Sequence, residues 1–169
     1  MAALAGSCVM EERLTQLHGL SPLFSHDGIH DSQTQLAAPP FFYEQLRREV
    51  ALSLRTQLSF SLVKIVFAKK LTSTETRPVS AEDILHFSCE LRTLTRGSEC
   101  IGRLGINECV VLVSEGEIAA QRLITRLYAT PSLLVNHTLH IYLSMVTSLP
   151  GESGLKILNR LDKAALSTP

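Results

Sequence analysis

The chain has 169 residues, 45% apolar and 19% charged, which is long enough to bury one sizeable core and ordinary for a globular domain. Its 16 basic and 16 acidic side chains cancel, so no general electrostatic attraction draws it to nucleic acid or to an anionic membrane. No apolar run approaches the ~18 residues that span a bilayer, and residues 1–10 carry no Lys or Arg, a poor secretion signal. The expected location is the cytoplasm. Cys8, Cys89, Cys100 and Cys109 show no C-x-x-C spacing, and buried free thiols are the expectation rather than zinc or disulfides.

In chain order, residues 1–38 read as a partly irregular N-terminal extension, with at most one short helix near 11–18 and a Ser-, Gly-, Asp- and Pro-rich loop to Pro40. Residues 39–169 read as the domain proper. Pro39-Pro40 opens a helix over 41–56, with an apolar stripe of Phe42, Leu46, Val50 and Leu54. Residues 60–67 form a β-branched-rich run, read as a strand covered on both faces. After a polar loop, Ser80 caps a helix with Asp83 three residues on, and Ile84, Ser88, Leu91 and Leu94 keep helical spacing.

Two short apolar runs, 101–104 and 109–113, flank a tight corner at Gly105 and pair as a hairpin. Ser114-Glu115-Gly116-Glu117 has the form of a capping box, followed by Ala120, Leu123, Ile124 and Leu127 on one helix face. A strand over 137–146 and a last helix over 153–166 follow, the helix burying Ile157, Leu161, Ala164 and Ala165. This order predicts an α/β chain (an α+β sandwich), with a central, mostly antiparallel sheet flanked by helices.

Several constellations carry candidate chemistry. His26-Asp27-Gly28-Ile29-His30-Asp31 gathers possible metal ligands, but such loops are commonly plain turns and no distant ligand completes the set. His137 and His140 are three apart on a strand and point to opposite faces. Cys109 reads as core filler rather than a nucleophile, and Arg47, Arg48 and Arg55 are interleaved with Glu44 and Glu49 as on a solvated helix face.

The stretch Arg96 to Val113, with Arg103-Leu104-Gly105-Ile106-Asn107-Glu108-Cys109 at its centre, resembles the signature hairpin of GGDEF domains, the diguanylate cyclases. Asp31, Thr34, Leu36 and Phe42 fit that family's opening pattern D-x-L-T-G-L-x-N-R-R-x-F, whereas Gln35, Ala38, Pro39 and Pro40 do not. Residues 159–166, Asn159-Arg160-Leu161-Asp162-Lys163-Ala164-Ala165-Leu166, are similar to its closing helix, and Ser148-Leu149-Pro150 to the exit from its last strand. The resemblance runs from about Asp31 to Leu166.

That resemblance implies a fold retained and a chemistry lost. Condensing two GTP molecules needs divalent cations, and Mg²⁺ needs carboxylate oxygens on rigid elements. The position matching the family's strand carboxylate is Val66, the acidic third letter of its motif is Asn107, and only Glu108 keeps its charge. Ile106 replaces the second Gly, where a positive φ is costly for a β-branched residue. The loop 71–80 lacks the Asn and Asp that would face guanine, and the basic residue that often reaches the phosphates lies past Pro169 in the family's pattern. The expectation is therefore no enzyme and no cofactor.

Arg96-Gly97-Ser98-Glu99 stands where the family's inhibitory R-x-x-D binds cyclic di-GMP, with Arg103 further along. The resemblance implies ligand binding by Arg96, Glu99 and Arg103. The same letters also suit a solvated helix C-terminus. Three functions stay open: an inactive regulatory receptor for cyclic di-GMP, a protein-interaction scaffold with no nucleotide, and a residual GTP-binding or cyclase enzyme.

Overall fold

The computed structural model describes residues 22–69, 79–133 and 139–168. The helix expected near 11–18, most of the loop 71–80, and His137 lie outside the described residues. The elements are α1 (Pro39–Thr56), β1 (Ser61–Lys69), α2 (Ala81–Leu94), β2 (Cys100–Gly105), β3 (Glu108–Val113), α3 (Glu117–Tyr128), β4 (Leu139–Thr147) and α4 (Gly154–Lys163). The four strands form one antiparallel sheet in the order β2-β3-β1-β4.

Strand β1 is central, and its alternating side chains feed two cores, as the period of a strand requires. Val63, Ile65 and Phe67 pack with Ile84, Phe87 and Leu91 of α2 and Leu123 and Leu127 of α3. Leu62 packs on the opposite face with Phe42 and Leu46 of α1 and Ile157 and Leu161 of α4. The result is the predicted α+β sandwich, helices on both faces of an antiparallel sheet. Among the described residues no helix is long and apolar enough to cross a membrane.

Local chemistry sets the element ends. Ser80 accepts from Asp83 N while Asp83 accepts from Ser80 N, a complete capping box at the start of α2. Gly102 lets α1 approach the sheet, since a Cβ there would lie 2.5 Å from the Phe42 ring. Leu104 forms a bulge between the Arg103–Cys109 and Gly105–Glu108 pairs, just before the hairpin corner.

The structure departs from the expected pattern in three places. The capping box read at 114–117 does not form: Gly116 is the N-cap of α3 and supplies no side-chain bond. Its members are engaged elsewhere, Ser114 donating to Glu49 at 3.1 Å and Glu115 pairing with Arg96. The apolar stripe of α1 is buried only at Phe42 and Leu46, and Leu54 is exposed. Helix α4 stops at Lys163, leaving Ala165 exposed, because the chain turns extended at Ala164 so that Ser167 can exchange backbone bonds of 2.8 and 2.9 Å with Leu143.

Residues 26–38, read as an extension outside the domain, are fastened into it. Ala37 N donates to Ile101 O at 2.9 Å and Arg103 N donates to Ala37 O at 3.0 Å, so this segment covers the β2 edge. Beneath it Asp31 and Arg103 form an ion pair whose side chains are 0% and 1% exposed. Both Asp31 oxygens accept from one Arg103 terminal nitrogen at 2.9 Å. Oδ2 also accepts from Thr34 N and Thr34 Oγ1 at 2.7 Å. The second Arg103 terminal nitrogen donates to Ile106 O at 3.1 Å, and the Phe24 ring lies 5.6 Å from the guanidinium.

A buried pair with this many bonds is costly to break one side at a time, because the remaining charge is stranded. Asp31→Asn and Arg103→Met are each expected to lower unfolding free energy by about 3–5 kcal/mol in urea titrations. The double variant should lose clearly less than the sum, and additive losses would show that the two residues act independently.

Candidate functional site

The site has two parts, the hairpin corner and the turn that leads into β2. At the corner, β1 and β3 place Val66 directly opposite Glu108, and Phe67 N donates to Asn107 O at 3.1 Å. Val66 and Asn107, the positions that matched cation-binding carboxylates, are thus brought together without a charge between them. Asn107 Oδ1 is buried and accepts no hydrogen bond among the described residues. Ile106 completes the corner without a positive φ, its side chain 51% exposed, so the strain expected of a β-branched residue there is avoided.

The carboxylate of Glu108 is not free. Lys64, on the same face of β1, extends its ammonium to Glu108 at 3.3 Å and to Asp162 of α4 at 2.9 Å. Burial pulls the Lys64 pKa down, but the bonds to Asp162 and Glu108 outweigh it and leave the group above its ordinary value. Lys64 was missed in the sequence. Its signal was a lone charge inside the apolar run Leu62 to Phe67, which on a strand covered by helices must find a partner.

The other sequence candidates resolve into structural roles. In the His26–Asp31 cluster, Asp27 accepts from Ile29 N at 2.8 Å and His30 N at 2.7 Å, bonds that hold its carboxyl below the usual range. His26 Nδ1 accepts from Gly28 N at 3.1 Å, and Asp31 is spent on Arg103. Among the described residues no group of three or more His, Cys, Asp or Glu side chains could hold a metal ion. Cys109 is buried in the core beneath the corner, its thiol pushed up to about 12 by burial.

Of the residues expected to contact a ligand, the structure brings Arg96 and Glu99 together and removes Arg103. Arg103 points into the protein and is consumed by Asp31, so its assignment as a ligand contact is corrected. Arg96 and Glu99 close a turn between α2 and β2: Glu99 Oε2 accepts from Arg96 N at 2.8 Å, and Glu99 N donates to Arg96 O at 2.9 Å. The Arg96 guanidinium pairs with Glu115 in the link before α3.

This turn borders a groove of about 540 Å³ against α3, whose exposed face adds Arg122 and Arg126 one helical turn apart. Neither forms an ion pair among the described residues. They escaped the sequence reading because an i,i+4 pair of arginines on a helix looks like any solvated face. On its other side the same turn borders a second hollow of about 480 Å³, lined by His30, Phe41 and Arg92.

No protein-family profile matches the sequence, and no curated protein matches it significantly. Solved structures do. The diguanylate cyclase SiaD of Pseudomonas aeruginosa, in complex with its activator SiaC, superposes with a TM-score of 0.67 at 18% identity, over 80% of this chain and 56% of that one. This chain therefore spans little more than half of the SiaD chain. The GGDEF domain of DgcB from Caulobacter crescentus, in complex with cyclic di-GMP, gives 0.66 at 16% identity over 83% and 90% of the two chains. A microbial GGDEF domain studied for its interaction with cyclic di-GMP gives 0.64 at 14% over 80% and 86%. The chain has the fold of GGDEF domains.

Lys64→Met tests the corner. It should destabilise the protein by about 1–2 kcal/mol by leaving the half-buried Glu108 unpaired. Because the folded pKa of Lys64 is raised, that stabilisation is present below 10.5, its ordinary value, and is lost as pH rises through the folded one. The difference in denaturation midpoint between wild type and variant should therefore hold from neutral pH to 10.5 and shrink beyond it. A difference that vanished at neutral pH would remove Lys64 from the account.

Proposed function

From the GGDEF fold we propose that this chain is a catalytically inactive regulatory module of the cytoplasm that binds cyclic di-GMP through the turn Arg96 to Glu99. The carrying observation is the groove between that turn and α3. Arg96, Arg122 and Arg126 line one space, and Glu99 lines it with them. A cyclic dinucleotide offers two phosphodiesters for arginine forks and guanine N–H groups for a carboxylate acceptor. Glu99 Oε2 holds the turn, which leaves Oε1 for the base.

Inactivity is supported by the corner. Phosphoryl transfer to a ribose hydroxyl depends on cations that neutralise the triphosphate, and those cations need anionic oxygens. Val66 offers methyl groups, Asn107 a neutral amide, and Glu108 is engaged by the Lys64 ammonium that it shares with Asp162.

A second reading, a protein-docking scaffold without a nucleotide, is favoured by a different observation. Between α1 and α4 runs an open groove of about 900 Å³, floored by Leu104 and Val110, with Tyr43 and Leu155 exposed at its rims.

Calorimetric titration of the whole chain with cyclic di-GMP separates the two. The proposal expects saturable binding that weakens at least about tenfold in Arg96→Ala, the loss of one charge-assisted arginine–phosphate contact. Binding unchanged by Arg96→Ala would move the ligand elsewhere. Silence in the wild type would leave the scaffold reading standing.

A further inference from the structure

Resting on the reading of this groove as a nucleotide site, we infer that Glu115 is an internal competitor for Arg96 and thereby limits how tightly the groove takes an anionic ligand. Glu115 lies in the link Ser114–Gly116 between β3 and α3, where the sequence pattern assigns it to a helix cap. It caps nothing. Its carboxylate instead reaches back 19 residues to the Arg96 guanidinium.

The two halves of Arg96 are held very differently. Its backbone is fixed by the paired bonds with Glu99. Among the described residues its side chain is held only by Glu115, and both partners are more than half exposed, 57% and 54%. An exposed pair of single carboxylate and guanidinium is weak and exchangeable, whereas a phosphodiester can take the guanidinium as a two-pronged fork. A ligand phosphate thus displaces Glu115, and every ligand bears the cost of that displacement.

Charge counting gives the consequence for affinity. Arg96, Arg122 and Arg126 against Glu99 give the groove lining a net of +2, and Glu115, paired with Arg96 beside that lining, lowers the sum to +1. A dianionic cyclic dinucleotide can engage Arg122 and Arg126 while it dislodges Glu115. While it is charged and paired with Arg96, Glu115 therefore opposes the binding of such a dianion.

The test uses the whole chain and cyclic di-GMP as the probe in calorimetric titrations. Glu115→Gln should tighten binding about two- to fivefold, the range that an exposed ion pair represents. Its dependence on salt should steepen, as one more cation faces the ligand. Glu117→Gln removes the same charge two residues away, where the side chain accepts from Gln121, and should leave affinity unchanged. In an Arg96→Ala background, Glu115→Gln should have no effect. Equal or weaker binding by Glu115→Gln, or tightening that persists without Arg96, overturns the inference while wild-type binding keeps the nucleotide reading intact. Absence of binding in wild type and variant alike ends both.

Discussion

The buried contact between Asp31 and Arg103 is the constraint on which the arrangement of the rest depends. Two opposite charges taken fully out of water must satisfy one another, and Thr34, Gln33 and the Ile106 carbonyl add further bonds, while Arg103 Nε finds none among the described residues. That requirement fastens residues 26–38 across the β2 edge and brings Gln33 to the first turn of α2, where its amide donates to Ala81 O at 2.7 Å. Helix α2 is thereby fixed at its start, and the Arg96 turn at its far end inherits that position. The hairpin corner is fixed from the same point, since Arg103 holds the Ile106 carbonyl while Phe67 N holds that of Asn107.

Much of this architecture could be read from the letters because it is local. Ser80 and Asp83 announce a helix start whose two bonds both form within four residues, and the apolar periodicities of α2 and α3 match the faces they bury. The hairpin is announced by two apolar runs about a glycine. What could not be read depends on partners far away in sequence. Lys64 finds Asp162 across 98 residues, and Arg103 finds Asp31 across 72, so neither pairing leaves a local trace. Ser114 and Glu115 make the converse error possible, because a pattern adequate for a cap is outbid by Glu49 and Arg96.

The candidate site shows the same division. Arg96 and Glu99 were visible because they sit three apart in a turn they themselves close. Arg122 and Arg126 were not, since their role comes from the packing of α3 beside that turn. Arg103 was misread for a simple reason: an arginine next to a glycine-led corner looks exposed until the segment that covers β2 is in place.

Two lysine or arginine contacts with carboxylates therefore define the molecule. One holds the scaffold, and the other, Lys64 with Glu108 and Asp162, ties the corner to α4 and, on the proposed reading, leaves it without the free anionic oxygens that divalent cations require. The most direct measurement of that claim is incubation of the purified chain with GTP and Mg²⁺ or Mn²⁺, followed by chromatography of the products. The account predicts unchanged GTP. Formation of cyclic di-GMP would contradict it, because the reaction would then be running without the carboxylates that Val66 and Asn107 lack.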